Sequence, residues 1–280
     1  MMLTNEMPIP ETLSACALDV LNTAGPVEKA QKSRHYVAAW RSGNFQDIGS
    51  AELPDRPARE EKPELRPPNE MPKRARAGTG KAKVALLHAI AHIELNAIDL
   101  AWDVLARQFD LGSYILPKEF YDDWCKVADD EAKHFLMLNE RLNDFGASYG
   151  DLPAHDGLWS ASEKTAHDFA ARLAIVPMVL EARGLDVTPS MIAAMQSQGD
   201  YKTAEYLQII HDDEITHVKA GTDWFKDWCA YHNYDVEEKW QELVKKYFGS
   251  KLKRPFNHPS RENAGMIRDW YEPLAEFEKK

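Results

Sequence analysis

Residues 206–228, YLQIIHDDEITHVKAGTDWFKDW, decide the fold prediction because they combine helical periodicity with charge on an apolar face. Apolar and ionisable residues recur here at the three- and four-residue spacing that lines one side of a helix. The stripe consists of Leu207, Ile210, Glu214, His217 or Val218, Gly221, Phe225 and Trp228. Glu214 and His217 therefore lie among apolar side chains, where an uncompensated charge is unfavourable.

The composition of the whole chain is that of a soluble globular protein. Its 280 residues are 44% hydrophobic and 28% charged, which is enough to bury a sizeable core. No run of eighteen apolar residues is present, and the N-terminus lacks a basic start followed by an apolar segment. We therefore expect neither a membrane span nor a secretory signal, and a cytoplasmic location.

Cysteine usage and net charge exclude several kinds of site. The three cysteines, Cys16, Cys125 and Cys229, share no C-x-x-C spacing, which predicts free thiols rather than disulfides or a zinc knuckle. A formal charge of −11 argues against a chain-wide grip on nucleic acid or anionic membrane. The basic segment 72–83, PKRARAGTGKAK, could contact RNA locally, but without interleaved aromatic residues a solvated connector is favoured.

Periodicity and proline content divide the chain into three stretches. Residues 1–75 predict an N-terminal helical appendage, with two short helices over 10–42 and a proline-rich connector over 53–73. Residues 76–232 predict a bundle of four long helices, and no convincing strand pattern competes with them. Residues 233–280 predict a C-terminal helical extension that wraps the bundle.

The element boundaries follow from the same patterns. In the appendage, Gly25 and Pro26 separate the two helices, and Pro26 opens the second. The bundle helices are expected at 81–109, 117–146, 160–185 and 200–232, with a short helix opened by Thr188 and Pro189 before the last. In the extension, a helix near 235–248 and a terminal helical piece flank an irregular segment at 249–265.

Each of the four bundle helices carries a carboxylate on its apolar stripe, and two of them add a histidine three residues later. These six residues are Glu94, Glu131 with His134, Glu181, and Glu214 with His217. The layout repeats along the chain, because ELNAID (94–99) matches EARGLD (181–186) and DEAKH (130–134) matches DEITH (213–217). Two D-E-x-x-H motifs in register are unlike a chance pattern.

Metal binding explains why so many charged groups would be buried together. Buried carboxylates are costly unless they are paired or coordinated. Four carboxylates and two imidazoles can hold two cations, as they do in ferritin-like di-iron and di-manganese bundles. Oxygen and imidazole ligands without cysteine suit iron first, with manganese or a mixed pair as alternatives. A salt-bridged helix surface is the alternative interpretation of the six residues.

The sequence resembles the ferritin-like superfamily over residues 80–232. The segments HAIAHIELNAIDLAWD (88–103), YGDLPAHDGLW (149–159) and LEARGLDVTP (180–189) are similar to one bacterial family within it, a family of undefined function, and this similarity extends over nearly the whole chain. The resemblance implies an all-α, ferritin-like four-helix bundle with two metal ions on Glu94, Glu131, His134, Glu181, Glu214 and His217. It does not imply a substrate, because one fold hosts many chemistries.

Two further residues are candidates for supporting the metal ligands. Asp130 and Asp213 precede the glutamates of the two D-E-x-x-H motifs and could orient a histidine through its second ring nitrogen. Ordinary helix-surface charge is the alternative for both. The histidines His88, His92, His155, His167 and His211 lie off the ligand positions, and we expect them to be hydrogen-bonded or solvent-facing.

The predicted function is that of a di-iron oxidoreductase that activates dioxygen or peroxide and oxidises or hydroxylates a small organic substrate. Iron handling or peroxide detoxification without an organic substrate is the second hypothesis. A tRNA-hydroxylating enzyme belongs to the same superfamily and remains open, and a non-enzymatic, metal-stabilised interaction protein is the third class. The terminal extensions argue against a ferritin-type cage and are compatible with a homodimer.

Overall fold

The computed structural model describes residues 7–67, 70–71 and 78–275. Across these residues the regular structure is helical, and it includes isolated β-bridges but no strand. The all-α prediction is therefore confirmed for the described part of the chain. Six residues of the basic segment 72–83, namely 72–77, lie outside the described residues.

The chain forms two compact units. The first unit consists of Met1–Gln108 and Lys118–Asp156, and the second unit consists of Phe109–Pro117 and Gly157–Lys280. Each unit contains one half of the internal repeat, so each can be described by itself. The three-part division at residues 75 and 232 follows stretches of sequence and stays a prediction.

In its described residues the first unit contains the α-helices α1 (Leu13–Asn22), α2 (Pro26–Arg41), α3 (Gly80–Ala106) and α4 (Lys118–Asp144). The side chains of Thr12 and Thr79 accept hydrogen bonds from backbone amides in the first turns of α1 and α3, which fixes where these helices begin. Pro26 opens α2, as expected for a residue that lacks a backbone donor. The predicted positions of all four helices are confirmed to within three residues at each end.

Helix α3 is the core of the first unit. Every residue from 94 to 106 is buried, and α3 packs against α1, α2 and α4. By length and composition α3 could cross a membrane, but 67% of its most apolar 18-residue stretch is buried inside the protein. Helix α3 is therefore a core helix of the first unit, while the predicted compartment stays a prediction.

The predicted connector over residues 53–73 has no helix in residues 53–67, as predicted, and the residues from 43 to 52 before it have none either. It is nevertheless hydrogen-bonded to the first unit along its length. The amide of Ala58 donates to the carbonyl of Leu21, and a parallel bridge joins Leu65 to Ala154. The connector is thus part of the packed unit and not a free spacer.

The second unit is built from shorter helices around one long one. Its elements are α5 (Gly157–Thr165), α6 (Phe169–Ile175), a π-helical turn (Val176–Glu181), α7 (Ala182–Ser197), α8 (Tyr201–His232), α9 (Val236–Leu243), a second π-helical turn (Val244–Phe248), α10 (His258–Asn263) and α11 (Arg268–Tyr271). Helix α8 matches the prediction of 200–232 closely.

The predicted helix at 160–185 is wrong in two respects. The chain breaks after Thr165 and restarts at α6, because the side chain of Asp168 accepts a hydrogen bond from the amide of Ala171 and caps a new helix. The helical path then passes through the π-helical turn, which begins next to Pro177, a residue that has no amide to donate.

The separate short helix predicted to begin at Thr188 and Pro189 is also wrong, because both residues lie inside α7. A proline in a helix leaves the carbonyl four residues earlier without its usual donor. In this case that carbonyl belongs to Leu185, and the side-chain amide of Asn257 donates to it over 3.1 Å. The C-terminal extension thus supplies the missing donor, which a local sequence pattern does not show.

The C-terminal extension packs on the second unit, and its middle is more ordered than predicted. The segment 249–265, predicted to be irregular, contains α10, which Asn257 caps by accepting from the amide of Ser260. Lys226 of α8 donates to the carbonyl of Gly265, and Gln241 of α9 donates to backbone carbonyls at the start of α11. Together with the bond from Asn257 to Leu185, these bonds fix the extension to α7 and α8 and join its own helices α9 and α11.

Candidate metal centre

The first half of the candidate site lies between α3 and α4, and we call Glu94, Glu131 and His134 the first half-site. All three side chains are buried. The Nδ1 atom of His134 lies 3.1 Å from Oε2 of Glu94 and 3.6 Å from Oε2 of Glu131. The three-residue spacing in α4 brings Glu131 and His134 to one face, and the packing of α4 on α3 brings Glu94 to them.

The electrostatics of this half-site favour a bound cation or proton. Burial raises the pKa of Glu94 well above its ordinary value, and the nearby Glu131 carboxylate raises it further. Hydrogen bonding to His134 acts in the opposite direction but does not reverse the shift. Two buried carboxylates around one imidazole are thus unfavourable when both are ionised without a positive partner.

The donor set fits a metal ion. One ligand atom from each of the three residues lies within 4.8 Å of the others. Two donors that each lie about 2.1 Å from the same ion can be at most about 4.2 Å apart. The distances of 3.1 and 3.6 Å from Nδ1 of His134 to the two carboxylate oxygens satisfy that limit. The buried first half-site could therefore hold a metal ion. Nothing in the geometry selects one metal over another.

The thiols take no part in this arrangement. Cys16, Cys125 and Cys229 are free and buried, as predicted, and burial raises the pKa of Cys16 and of Cys229 to about 12. A thiol in that state is protonated at neutral pH and is a poor metal ligand. The ligand chemistry of the half-site is thus oxygen and imidazole nitrogen.

The second half-site consists of Glu181, Glu214 and His217 in the second unit. Glu214 and His217 are buried on α8, with Nδ1 of His217 3.8 Å from Oε2 of Glu214. Glu181 is half-buried and is the last residue of the π-helical turn that leads into α7. The structure thus brings the α8 pair together, and the assignment of all six residues as ligands stays a prediction.

A close helix contact fixes the approach to Glu181. Gly221 of α8 lies directly against Pro177 of the π-helical turn, and a Cβ atom added at Gly221 would lie 2.3 Å from the Cγ atom of Pro177. No real Cβ makes such a contact, so only glycine allows this approach. Pro177 distorts the helical path before Glu181 through a π-helical turn that packs on α8.

The histidines outside the half-sites have other partners. His92 is held by the hydroxyl of Tyr149 at 2.7 Å and by the carbonyl of His155 at 3.1 Å, and burial lowers its pKa to about 4. His88 accepts a hydrogen bond from the amide of Gly150. The expectation that these two are hydrogen-bonded histidines rather than ligands agrees with their contacts.

His211 and His167 are also engaged. The Nε2 atom of His211 lies 3.3 Å from the hydroxyl of Ser260, and the Nε2 atom of His167 lies 3.1 Å from the hydroxyl of Tyr247. His167 is at an exposed contact, whereas His211 is buried. Neither contact involves a residue of the half-sites.

The two aspartates proposed to support the ligands are half-buried. Asp130 forms ion pairs with Lys126 and Lys133 of its own helix, at 2.7 and 3.0 Å. Those contacts agree with the helix-surface alternative for Asp130. The proposed role of Asp130 and Asp213 in orienting a histidine stays a prediction.

Two buried carboxylates are structural anchors whose buried cationic partners, Lys29 and Arg261, the sequence did not indicate. Asp99 and Asp186 are the final residues of the repeated ELNAID and EARGLD segments, and each is buried in ion pairs with cations from outside the four long helices. Every residue of α3 from 94 to 106 is buried, so the side of the helix that carries Asp99 is covered as well.

Comparison with known proteins gives a family but no activity. The family described as "Protein of unknown function (DUF455)" matches residues 22–272, a span that contains both half-sites. The chain is 41% identical over 218 residues to an uncharacterized protein of Haemophilus influenzae, covering 75% of this chain and 74% of the relative. No solved structure matches the chain. Its function must therefore be argued from the chemistry of the site.

Proposed function

We propose that this chain, which belongs to the DUF455 family of proteins of unknown function, is a metal-dependent oxidoreductase that uses dioxygen or peroxide to oxidise an organic substrate. The observation that carries the proposal is the buried first half-site, where two carboxylates and an imidazole offer donors within 4.8 Å of one another. A merely structural role for so much buried charge would leave its desolvation cost without a positive partner.

The proposal includes two metal ions, with one half-site contributing mainly to each. Together the half-sites supply four carboxylates and two imidazoles, which is the ligand set of a dinuclear carboxylate centre. That the two half-sites form one ferritin-like centre is proposed from the internal repeat and from the resemblance of the sequence to the ferritin-like superfamily.

Iron is the metal that we propose, with manganese or a mixed pair as alternatives. Neutral imidazole and carboxylate oxygen suit both metals, and no thiolate competes. Bound iron would supply an open coordination position for dioxygen or peroxide and would relay the electrons that an external reductant provides. Substrate oxidation by dioxygen then inserts one oxygen atom, leaves the other in water, and draws two electrons and two protons from an external reductant.

The residues of the chain have defined tasks in this proposal. His134 and His217 present Nδ1 on the side of the neighbouring carboxylate, so that nitrogen is the ligand atom. Burial and the Glu131 carboxylate raise the pKa of Glu94, so binding of a cation would favour loss of a proton from this carboxyl group. The burial of these side chains keeps bulk water away from them.

The experiment is anaerobic reconstitution with ferrous iron, followed by rapid mixing with dioxygen or hydrogen peroxide while absorption and iron oxidation state are recorded. We expect ferrous iron at the site to be oxidised in the wild type and not in Glu131→Ala. Bound iron that stays ferrous with both oxidants would contradict the oxidoreductase and favour a structural metal. Continued oxidation of added ferrous iron far beyond two ions per chain would instead identify an iron-handling protein.

A further inference from the structure

The N-terminal extension, which comprises α1, α2 and the connector, contacts both helices of the first half-site. Lys29 of α2 pairs with Asp99 of α3, with Nζ 2.5 Å from Oδ1 and both side chains fully buried. Arg59 of the connector pairs with the same carboxylate. Asp99 is five residues after Glu94, so the ion pair fixes the segment of α3 that presents this ligand candidate.

A serine completes the link from α2 to α4. The hydroxyl of Ser33 accepts a hydrogen bond from Nε1 of Trp102 on α3, at 2.8 Å, and donates to the carbonyl of Ala128 on α4, at 2.9 Å. Ala128 is three residues before Glu131. Lys29 and Ser33, one helical turn apart on α2, thus join the two helices that carry the first half-site.

The C-terminal extension makes the corresponding contacts in the second unit. Arg261 of α10 binds both carboxylate oxygens of Asp186 on α7, at 2.8 and 2.7 Å, and both side chains are buried. The hydroxyl of Ser260 lies 3.3 Å from Nε2 of His211 on α8. Asp186 is five residues after Glu181, and His211 is three residues before Glu214.

The contacted positions are equivalent in the internal repeat. Asp99 corresponds to Asp186, and Ala128 corresponds to His211, because the ELNAID and EARGLD segments and the D-E-x-x-H motifs align. The extensions themselves have nothing in common, since one is an N-terminal helix and the other a short C-terminal helix. In each unit a different segment therefore contacts the same two positions, one five residues after the first glutamate and one three residues before the D-E-x-x-H glutamate.

We infer that each extension is a bracket that positions its own half-site for metal binding, with Lys29 and Ser33 as positioning residues in the first unit and Ser260 and Arg261 in the second. The inference rests on the proposed metal binding. Each bracket restrains its two helices against rotation and sliding, so the carboxylates and the histidine are held in place before a metal arrives. Such supporting contacts determine ligand geometry as much as the ligands do.

A general contribution to stability does not explain these contacts as well. A buried ion pair is often no more stabilising than apolar residues of the same volume, because desolvation offsets the attraction. Its advantage is in fixing one arrangement of the groups that it joins. Burial lowers the pKa of Lys29 only to about 8, which still favours its protonated, cationic form at neutral pH.

The test measures ferrous-ion affinity in variants that retain one half-site. In the His217→Ala background, which leaves the first half-site intact, Lys29→Met should weaken ferrous binding by about 10- to 100-fold, and Arg261→Met should weaken it by a smaller factor, since only a bridging Glu214 would link the two half-sites. In the His134→Ala background the pattern should be reversed. A defect in overall stability would not follow this crossed pattern.

Matched controls are available in both extensions. Lys32→Met removes ion pairs within the N-terminal extension, with Asp19 and Glu28, and Arg268→Met removes an exposed pair with Glu262. Both should leave ferrous affinity unchanged. Arg261→Lys, which keeps the charge, should recover part of the affinity lost in Arg261→Met.

Smaller variants keep the test decisive if a bracket variant does not fold. Ser33→Ala and Ser260→Ala remove one hydroxyl each and should weaken ferrous binding more at their own half-site than at the other. Equal weakening at both half-sites, or no change in any bracket variant, would overturn the inference while leaving the metal proposal in place. Absence of ferrous binding by the wild type would overturn both the positioning role and the metal proposal. That result differs from a wild type that binds ferrous iron and is unaffected by the variants.

Discussion

The Nδ1 atom of His134 on α4 lies 3.1 Å from Oε2 of Glu94 on α3, and both side chains are buried. The two residues are 40 positions apart in the chain and come from different helices, so packing of the helices brings them together. With Glu131 they form a compact oxygen and nitrogen donor set. The predictions below follow from this group and its repeat in the second unit.

Loss of a glutamate and loss of a histidine should have different effects on metal stoichiometry. If the D-E-x-x-H glutamates bridge two metals, Glu131→Ala or Glu214→Ala should weaken both bound ions, whereas His134→Ala or His217→Ala should weaken mainly one. His211→Ala is the control, because Ala128 stands at its repeat position, and it should still bind two ions at saturation. Metal analysis across the five variants checks this. Loss of binding in His211→Ala with retention in Glu131→Ala would refute the repeat-based assignment.

The metal-free protein should lose stability as the pH rises. The pKa of Glu94 is raised in the folded state, so its contribution is fully present below the ordinary value of 4.5 and is lost as the pH rises through the raised pKa. A metal replaces that proton, so metal affinity should increase over the same range. Thermal melts of metal-free wild type and Glu94→Gln from about pH 5 to about pH 8 test this. Parallel pH profiles for the two proteins would be inconsistent with it.

A methyl group at Gly221 should disturb the π-helical turn next to Glu181. The added Cβ would overlap Pro177, so Gly221→Ala should destabilise the fold by about 1–3 kcal/mol. Gly184→Ala is the matched control, because no atom lies within 4 Å of its added Cβ and a helical alanine is favoured over glycine by about 0.5–1 kcal/mol. Denaturant unfolding measures both. Equal stability of the two variants would mean that the close contact does not constrain the turn.

The predicted role of Asp130 and Asp213 can be separated from that of surface charge. If they orient ligand histidines, Asp130→Asn or Asp213→Asn should retain two metal ions but lower affinity by about 10- to 100-fold. Asp144→Asn, which removes an exposed pair with Arg141 at the end of α4, serves as the control. Ferrous titration of the three variants decides between the alternatives. Affinities equal to the control would assign Asp130 to the helix surface, in line with its lysine partners.

The parts of the structure that follow a local period could be predicted from the sequence. Helices α3, α4 and α8 and the stripes that carry Glu94, Glu131 and Glu214 follow from three- and four-residue spacing, because a single amphipathic face determines each of them. The pairing of Glu with His three residues later is likewise a property of one helix. The burial of these residues agrees with their place in the stripes.

The parts that depend on distant residues could not be predicted. Helix α7 continues through Pro189 because Asn257, far along the chain, donates to the carbonyl of Leu185. Asp99 is paired with Lys29, 70 residues before it, and that contact leaves no periodic signal in the sequence. The restart of the helix at Phe169 depends on one capping side chain, Asp168, which the apolar pattern does not distinguish from other polar residues.

Metal content is the most direct test of the central claim that the two half-sites bind metal. The full chain, stripped of metal and reconstituted with ferrous iron under anaerobic conditions, would be analysed for iron per chain after removal of unbound ions. We expect two iron ions per chain in the wild type, and a melting temperature above that of the metal-free protein. A reproducible value of zero, with no difference in melting temperature, would contradict the account.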